Sequence, residues 1–321
     1  MATRKITLEE AVTTDEFESY DQAFLSSIKQ QYGDYLSSRL HVKYLDQRLR
    51  DMDNEGIDMQ VISLTAPGIQ VLDDPSAALE SARKVNDTLA KIADTHPTRF
   101  RAMAAVPWIN PEEGPGELER AVTRLGAVGV MLNGHTKGAY TDDKKYWPLW
   151  ERAAALRVPV YLHPIKAVET WKNVEGYPEL EMAAWGWAFE TGTHFWRLVL
   201  SGLLDAYPTL QIILGHMGEF VPFSLWRMDD RYEWIAQDRG LKHKPSYYAK
   251  HNMMVTTSGV CSYEALLCTQ IAMGTDRVLL AVDYPYQFQK QAVDWIDSVP
   301  ISDVDRELIC HRNAERVFKL A

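Results

Sequence analysis

Eight short apolar segments recur along the 321-residue chain, and most of the intervals between them have the pattern of amphipathic helices. The segments are residues 6–8, 59–64, 100–106, 129–132, 158–162, 211–214, 253–256 and 278–282. Each can form a strand buried on both faces, which is the usual environment in a parallel sheet. Eight parallel strands alternating with helices close a (β/α)₈ barrel, so this pattern predicts a TIM barrel in the α/β class.

Helical patterns and their stop signals support the same architecture. The predicted helices are residues 44–55, 75–96, 113–125, 146–156, 190–207 and 263–273. Gly56, Pro97 and Gly126 follow three of them, as expected at helix ends. We therefore expect residues 1–321 to form one barrel domain rather than two domains.

Two connections are longer than a barrel needs, and they follow the first and fifth strands. They span residues 10–43 and 164–189. Long βα loops build substrate sites and subunit contacts in barrel enzymes. The second connection carries Trp171, Tyr177, Trp185, Trp187 and Phe189, which either pack against the protein or a neighbouring subunit, or face a substrate.

Composition restricts the kind of partner and the location. Asp and Glu number 44 against 34 Lys and Arg, and the net charge of −10 argues against a nucleic-acid partner. No run of 18 apolar residues is present, and the charged N-terminus does not resemble a signal peptide. The three cysteines cannot form a disulfide framework. We expect a soluble, cytoplasmic protein that does not bind membranes.

Chemically reactive side chains follow several of the predicted strands, at the ends where barrels carry their active sites. Glu9 follows the first strand, His163 the fifth and Asp283 the eighth, while His216 follows the sixth. Carboxylates and imidazoles together suit Zn²⁺, Mn²⁺ or Mg²⁺ and leave positions open for water and substrate. The sequence therefore predicts one divalent metal ion held by Glu9, His163 and Asp283, with His216 beside it.

The same strand ends resemble those of a known superfamily. The motifs are Leu8-Glu9-Glu10, Leu162-His163-Pro164, Gly215-His216-Met217-Gly218-Glu219 and Asp283-Tyr284-Pro285-Tyr286. They are similar to the amidohydrolase superfamily, in the branch of aminocarboxymuconate-semialdehyde, γ-resorcylate, 2,3-dihydroxybenzoate and 5-carboxyvanillate decarboxylases. The similarity runs nearly end to end, and Asn133-Gly134-His135 resembles the 5-carboxyvanillate enzymes most.

This resemblance implies a metal-dependent, nonoxidative decarboxylase of an ortho-hydroxylated aromatic acid, acting in aromatic compound catabolism. It implies one divalent ion per subunit, Mn²⁺ or Zn²⁺ before Mg²⁺, and a homodimer or homotetramer. Much of the superfamily has His-x-His on the first strand, whereas this chain has Glu9-Glu10-Ala11. The missing second ligand favours a mononuclear site over a binuclear one.

The resemblance also suggests roles for individual residues. Asp283 is expected to protonate the substrate ring, with His216, oriented by Glu219, as the competing donor; His216 is otherwise a fourth, weaker ligand. Arg48 and Arg227 match family positions that contact substrate, and Arg227 is placed to reach a neighbouring subunit. His135, Phe189 and Tyr286 are the further candidates for substrate contact.

Two other functions are compatible with the same residues. A metal-dependent hydrolase acting on a lactone or an amide could use this ligand set, although a fuller histidine set would be usual. A catalytically inactive barrel that serves as a binding protein would be expected to have an incomplete metal site.

Overall fold

The centre of the molecule is a sheet of eight parallel strands that follow one another in chain order. The computed structural model describes residues 3–19, 22–169, 171–235 and 239–320. The strands are β1 (Ile6–Val12), β2 (Met59–Leu64), β3 (Phe100–Ala105), β4 (Gly129–Asn133), β5 (Val160–His163), β6 (Ile212–Leu214), β7 (Met253–Thr256) and β8 (Val278–Leu279). A parallel bridge between Leu8 and Ala281 joins the first strand to the chain after the last. The predicted barrel is therefore confirmed.

Helices surround this sheet. They are α1 (Asp15–Glu18), α2 (Gln22–Leu40), α3 (Leu45–Glu55), α4 (Pro75–Thr95), α5 (Gly114–Leu125), α6 (Trp147–Leu156), α7 (Pro178–Glu181), α8 (Gly186–Leu200), α9 (Leu203–Ala206), α10 (Val221–Ile235), α11 (Pro245–Asn252), α12 (Tyr263–Met273), α13 (Gln289–Ser298), α14 (Asp303–Glu307) and α15 (Asn313–Phe318). In the described ranges, none of them has the length and apolar character needed to cross a bilayer.

Capping residues set the ends of several helices. The Asp74 side chain accepts a hydrogen bond from Ala77 N, and Pro75 begins α4. Gly56 and Gly126 end α3 and α5 in the left-handed conformation. The helix predicted at residues 190–207 is divided instead, because Gly202 adopts φ +80° between α8 and α9.

Both long connections contain helices of their own. The segment after β1 includes α1 and α2, and a bridge between Thr13 and His41 closes it against the barrel. The segment after β5 includes α7 and leads directly into α8. The predicted long insertions are therefore present, but the first is mostly helical.

The barrel interior is filled by apolar side chains from alternate strand positions. Ile6, Leu8, Met59, Val61 and Tyr161 belong to this cluster, together with Met103, Met131, Ile213, Met254, Leu279 and Ala281. Separate apolar clusters fill the layer between strands and helices. This packing fixes which side of each strand faces the barrel axis.

Arg48 lies outside the barrel wall, in the layer between the strands and α3. It is 1% exposed, and its guanidinium donates to Gln60 Oε1, at 3.0 Å, and to the backbone oxygen of Ala11. Gln60 faces outward because its neighbours Met59 and Val61 pack inside the barrel. The structure thus gives Arg48 buried partners within the protein, and its predicted contact with the substrate remains a prediction.

The Arg48 guanidinium is part of a buried polar network that includes Glu10. Gln60 links Arg48 to Glu10, because its Nε2 donates to Glu10 Oε2 at 3.1 Å, and burial raises the pKa of Glu10 to about 8. The guanidinium also stacks over the Tyr284 ring, 4.5 Å from its centroid. Such a network stabilises the wall only while every member keeps its partner.

We expect Arg48→Met to lower the free energy of unfolding by about 2–5 kcal/mol, because the buried acceptors Gln60 Oε1 and the Ala11 oxygen lose their donor. Arg50→Met is the matched control, since Arg50 is an exposed residue of the same helix. It should change the free energy by less than about 0.5 kcal/mol. Urea titrations of both variants test this, and equal losses would contradict the structural role of Arg48.

Candidate metal centre and active site

Glu9, His163 and Asp283 come together at the C-terminal end of the barrel, which we call the mouth. Each offers one ligand atom, and these atoms lie within 4.8 Å of one another. Glu9 is in β1, His163 ends β5, and Asp283 follows β8. The structure therefore brings the three predicted ligands together, and metal binding by them remains a prediction.

Unusual backbone conformations aim both carboxylates into the mouth. Glu9 has φ +59° and Asp283 has φ +74°, values that non-glycine residues adopt at an energetic cost. The pairing of β1 with β2 shifts register between Thr7 and Glu10, which turns Glu9 inward directly after the inward-facing Leu8. Strain at these two positions is typical of a functional site.

Hydrogen bonding defines the tautomer of His163. Its Nδ1 lies 2.8 Å from the backbone oxygen of Pro164, which can only accept, so Nδ1 carries the proton. In the neutral ring the Nε2 lone pair then faces Glu9 Oε1 at 3.4 Å. This is the arrangement of a histidine that binds a metal through Nε2 while a neighbouring carbonyl orients the ring.

The environment of the buried Glu9 carboxylate indicates whether the three side chains suit a cation. Its Oε1 is buried and finds no hydrogen-bond donor among the described residues. A buried carboxylate oxygen beside a nitrogen lone pair is costly unless positive charge lies between them. The donor set therefore fits a divalent cation.

His216 stands beside the three candidate ligands and has a different environment. Its Nδ1 lies 2.7 Å from Glu219 Oε1, and its Nε2 lies 3.6 Å from Asp283 Oδ2 and 3.9 Å from Glu9 Oε1. Burial lowers the pKa of His216, but the carboxylates of Glu9 and Glu219 outweigh it, and the pKa is raised well above its usual range. His216 is thus suited to hold a proton at neutral pH.

The pKa of Asp283 is also shifted toward neutrality. Burial raises it to about 6, His216 lowers it through a hydrogen bond, and the nearby charge of Glu9 raises it.

Gly259 has φ +63°, and a Cβ there would lie 3.2 Å from His216 Cδ2 and 3.8 Å from Asp283 Oδ2. Only glycine allows the backbone to pass this close to the imidazole and the carboxylate.

The other residues predicted to contact the substrate have partners of their own within the protein. Both ring nitrogens of His135 have protein partners, Gly138 N and the Lys166 oxygen, at 3.1 Å each. The Tyr286 hydroxyl lies 2.7 Å from Thr65 Oγ1, at the end of β2. Phe189 is half exposed and packs edge-on against Trp171, with ring centroids 4.5 Å apart. Their substrate contacts remain predictions.

Arg227 is on α10, and its side chain is 66% exposed with Asp230 at 3.6 Å. It does not belong to the three-ligand cluster at the mouth of its own barrel. Its predicted role is therefore one toward a neighbouring subunit, and that role remains a prediction.

Sequence reasoning missed Tyr161, whose hydroxyl donates to Glu9 Oε2. The signal was available: Tyr161 stands two positions before His163 in β5, so the two side chains point to the same side of the strand. Tyr161 lies within an apolar segment, and its ring also fills the barrel.

The affinity for Mn²⁺ should decrease as the pH falls, and more steeply below about pH 6. The proton on His216 opposes the cation throughout this range, and below about pH 6 Asp283 also binds a proton that must leave. One additional proton makes the affinity fall a further tenfold per pH unit, or about 1.4 kcal/mol.

Calorimetric titrations with Mn²⁺ at several pH values measure this slope. Infrared spectra at about pH 5.5 should show loss of a protonated carboxyl band when Mn²⁺ binds, because the proton leaves with binding. A slope that stays constant across pH 6, with no change in that band, would contradict the assignment.

Comparison with known proteins places this site in a family. The family model described as amidohydrolase matches residues 38–320. The gamma-resorcylate decarboxylase of Polaromonas sp. (strain JS666 / ATCC BAA-500) is 39% identical over 325 residues, which cover 98% of this chain and 98% of that protein.

Two solved structures are similar over the whole chain. The dihydroxybenzoic acid decarboxylase from Polaromonas sp. JS666, with bound manganese and the inhibitor 2-nitroresorcinol, has a TM-score of 0.91 and 38% identity, covering 99% of this chain and 98% of that one. The 5-carboxyvanillate decarboxylase from Sphingomonas paucimobilis has a TM-score of 0.90 and 35% identity, covering 100% of both chains. The match of the family model and these end-to-end similarities confirm the resemblance seen in the sequence: the chain belongs to the amidohydrolase family.

Proposed function

We propose that this protein is a divalent-metal-dependent, nonoxidative decarboxylase that protonates the ring of an ortho-hydroxylated aromatic acid and releases CO₂. The observation that carries the proposal is the meeting of Glu9, His163 and Asp283 at the mouth, with a proton-holding His216 beside them. The relatives described above are named as decarboxylases of aromatic acids. Hydrolysis of a lactone or an amide is therefore not favoured.

The chemistry supplied by the cation is positive charge, which attracts the phenol oxygen and the carboxylate of the substrate and holds the ring in one orientation. Glu9, His163 and Asp283 are the residues that would hold this ion. We propose Mn²⁺ or Zn²⁺ as its identity, with Mg²⁺ as a further candidate. A manganese ion in the solved Polaromonas structure supports Mn²⁺ first.

Asp283 is the proposed acid. Burial raises the pKa of this carboxyl group to about 6 in the metal-free protein. With the cation bound, the proton that Asp283 delivers would come from His216, its neighbour at 3.6 Å. The proton passes from Asp283 to the ring carbon that carries the substrate carboxylate. The bond between that carbon and the carboxylate then breaks, its electron pair restores the aromatic ring, and CO₂ leaves.

His216 is positioned to return a proton to Asp283 after each turnover. The Nε2 of His216 lies 3.6 Å from Asp283 Oδ2, and Glu219 holds the opposite ring nitrogen at 2.7 Å. In the metal-free protein the carboxylates of Glu9 and Glu219 raise the pKa of His216 well above its usual range, so this imidazole is suited to supply that proton. Direct protonation of the ring by His216 is the alternative within the same proposal.

The substrate itself is proposed as a small hydroxybenzoate-type acid, 5-carboxyvanillate-like in the finer form of the proposal. Phe189 and Tyr286 would contact the ring, and His135 would contact a ring substituent. Arg227 would pair with the carboxylate through a planar, bidentate contact. A cytoplasmic location and a role in aromatic compound catabolism remain predictions from the sequence.

A second copy of the chain is the proposed partner, in a homodimer or homotetramer. Helix α10 and the residue before it expose large apolar side chains, a surface typical of subunit interfaces. Phe223 is 87% exposed, Trp226 75%, Trp234 78% and Ile235 76%, while Phe220 packs against Trp185 with ring centroids 5.1 Å apart. Arg227 follows Trp226 on this helix, so pairing through α10 would carry the guanidinium toward the partner.

Asp283→Asn should lower kcat by about 100- to 10,000-fold, because the acid is lost while the shape of the side chain is kept. The assay follows loss of ultraviolet absorbance from a series of ortho-hydroxybenzoates with Mn²⁺, and circular dichroism checks the fold. Asp294→Asn is the control, since Asp294 is exposed on α13 and pairs only with Lys290 in the described residues. Near-normal turnover by Asp283→Asn, or hydrolysis of lactones in place of CO₂ release, would contradict the proposal.

Phe223→Glu should reduce the size of the assembly in sedimentation velocity, because it places a charge in the proposed apolar interface. Val304→Glu is the matched control, since Val304 is 60% exposed on α14, away from this helix. A wild-type protein that sediments as a monomer, or a Phe223→Glu assembly of unchanged size, would contradict pairing through α10.

A further inference from the structure

A continuous line of buried hydroxyl groups crosses the barrel from the backbone of His216 to the carboxylate of Glu9. The His216 N–H lies 3.1 Å from Ser258 Oγ, Ser258 Oγ lies 2.9 Å from Thr256 Oγ1, and Thr256 Oγ1 lies 3.0 Å from the Tyr161 hydroxyl. The last link is the hydrogen bond from Tyr161 to Glu9 Oε2. Tyr161, Thr256 and Ser258 are each 0% exposed. We call these three residues the hydroxyl chain.

The two ends of the hydroxyl chain fix the direction of every proton in it. A carboxylate can only accept, so Tyr161 must donate its proton to Glu9. Thr256 must then donate to the Tyr161 oxygen, and Ser258 must donate to Thr256. The His216 N–H, which can only donate, supplies the bond that Ser258 accepts. Each hydroxyl therefore donates once and accepts once, and hydrogen bonds ordered in one direction strengthen one another.

As a consequence, the two carboxylate oxygens of Glu9 differ in their hydrogen bonding. Oε2 receives the proton of Tyr161, while Oε1 has no donor among the described residues and faces His163 Nε2 at 3.4 Å. Gly215 encloses the same carboxylate: a Cβ there would lie 3.0 Å from Glu9 Oε2 and 3.1 Å from the Tyr161 hydroxyl. The surroundings thus hold the carboxylate in one rotational position, with a single oxygen turned toward the candidate ligands.

We propose that the hydroxyl chain is a positioning device that makes Glu9 a one-oxygen ligand, and that Tyr161 thereby sets both the affinity and the choice of cation. The proposal rests on the metal-dependent function above. Tyr161 is a positioning residue, since it acts through Glu9. A carboxylate with one oxygen held elsewhere suits small ions such as Mn²⁺, whereas Ca²⁺ binds more ligand oxygens and often takes both from one carboxylate.

Tyr161→Phe should therefore weaken Mn²⁺ binding by about 10- to 100-fold, the range typical when a group that orients a metal ligand is removed. It should weaken Ca²⁺ binding much less, because the freed Oε2 can now contribute to that ion. The readout is the ratio of the two dissociation constants, measured by calorimetric titration of metal-free protein with Mn²⁺ and with Ca²⁺. A purely structural loss would weaken both ions together and leave the ratio unchanged.

Tyr248→Phe is the matched control. The Tyr248 hydroxyl also donates to a carboxylate, Asp205 Oδ1 at 2.6 Å, and Tyr248 is 2% exposed on α11, in the helical layer. This variant should keep the wild-type ratio. Thr256→Val removes the donor to Tyr161 and should shift the ratio in the same direction as Tyr161→Phe, by a smaller factor.

The results of these titrations distinguish the metal-dependent function from the positioning role of Tyr161. Wild-type protein that fails to bind Mn²⁺ would overturn the metal-dependent function, and with it this inference. Mn²⁺ binding by the wild type, with an unchanged ratio of dissociation constants in Tyr161→Phe, would overturn the inference alone. If Tyr161→Phe does not fold, Thr256→Val decides the matter, and a wild-type ratio in that variant overturns the inference.

Discussion

The site depends on one constraint: an imidazole nitrogen and a carboxylate oxygen face each other in a buried position. Glu9 Oε1 lies 3.4 Å from His163 Nε2, and within the described residues no donor reaches that oxygen. A buried carboxylate oxygen without a hydrogen-bond donor costs free energy, and the fold maintains this arrangement with strained backbone at Glu9 and Asp283. The barrel supplies the rigidity, because the ligands come from strands whose apolar side chains are interlocked inside it. The donor set, rather than the fold, is what selects a divalent cation.

The same constraint separates the roles of two imidazoles that sequence alone treats as equivalent. His163 Nδ1 donates to the neutral carbonyl of Pro164, which leaves Nε2 turned toward Glu9. His216 Nδ1 donates to the Glu219 carboxylate, which favours the charged ring. The mouth therefore contains two histidines in different environments, one predicted to bind the metal and one predicted to hold a proton. They differ in the partner of the ring nitrogen that points away from the centre.

The sequence could predict the barrel and the meeting of Glu9, His163 and Asp283, because apolar segments define strands and parallel strands share one functional end. It could not predict the wall position of Arg48, since the direction of a helix side chain depends on packing against β1 and β2. Tyr161 was missed because its ring fills the barrel while its hydroxyl donates a hydrogen bond to Glu9. The pattern of apolar residues indicates that the ring is buried but not which group the hydroxyl contacts. The helical content of residues 10–43 was missed because that segment lacks a clear apolar stripe.

Two adjacent glutamates show how the wall and the site are joined. Glu9 turns into the mouth, whereas Glu10 turns outward to Gln60 and accepts the N–H of Val282 at 3.3 Å. Val282 directly precedes Asp283, so the hydrogen bond made by Glu10 ties the first strand to the backbone that carries the opposite carboxylate. Arg48 holds the outer side of this junction through Gln60 and Ala11. The distance between the two predicted carboxylate ligands is therefore set in part by residues buried outside the mouth. The buried network of Arg48, Gln60 and Glu10 therefore affects the positions of the site residues as well as the stability of the fold.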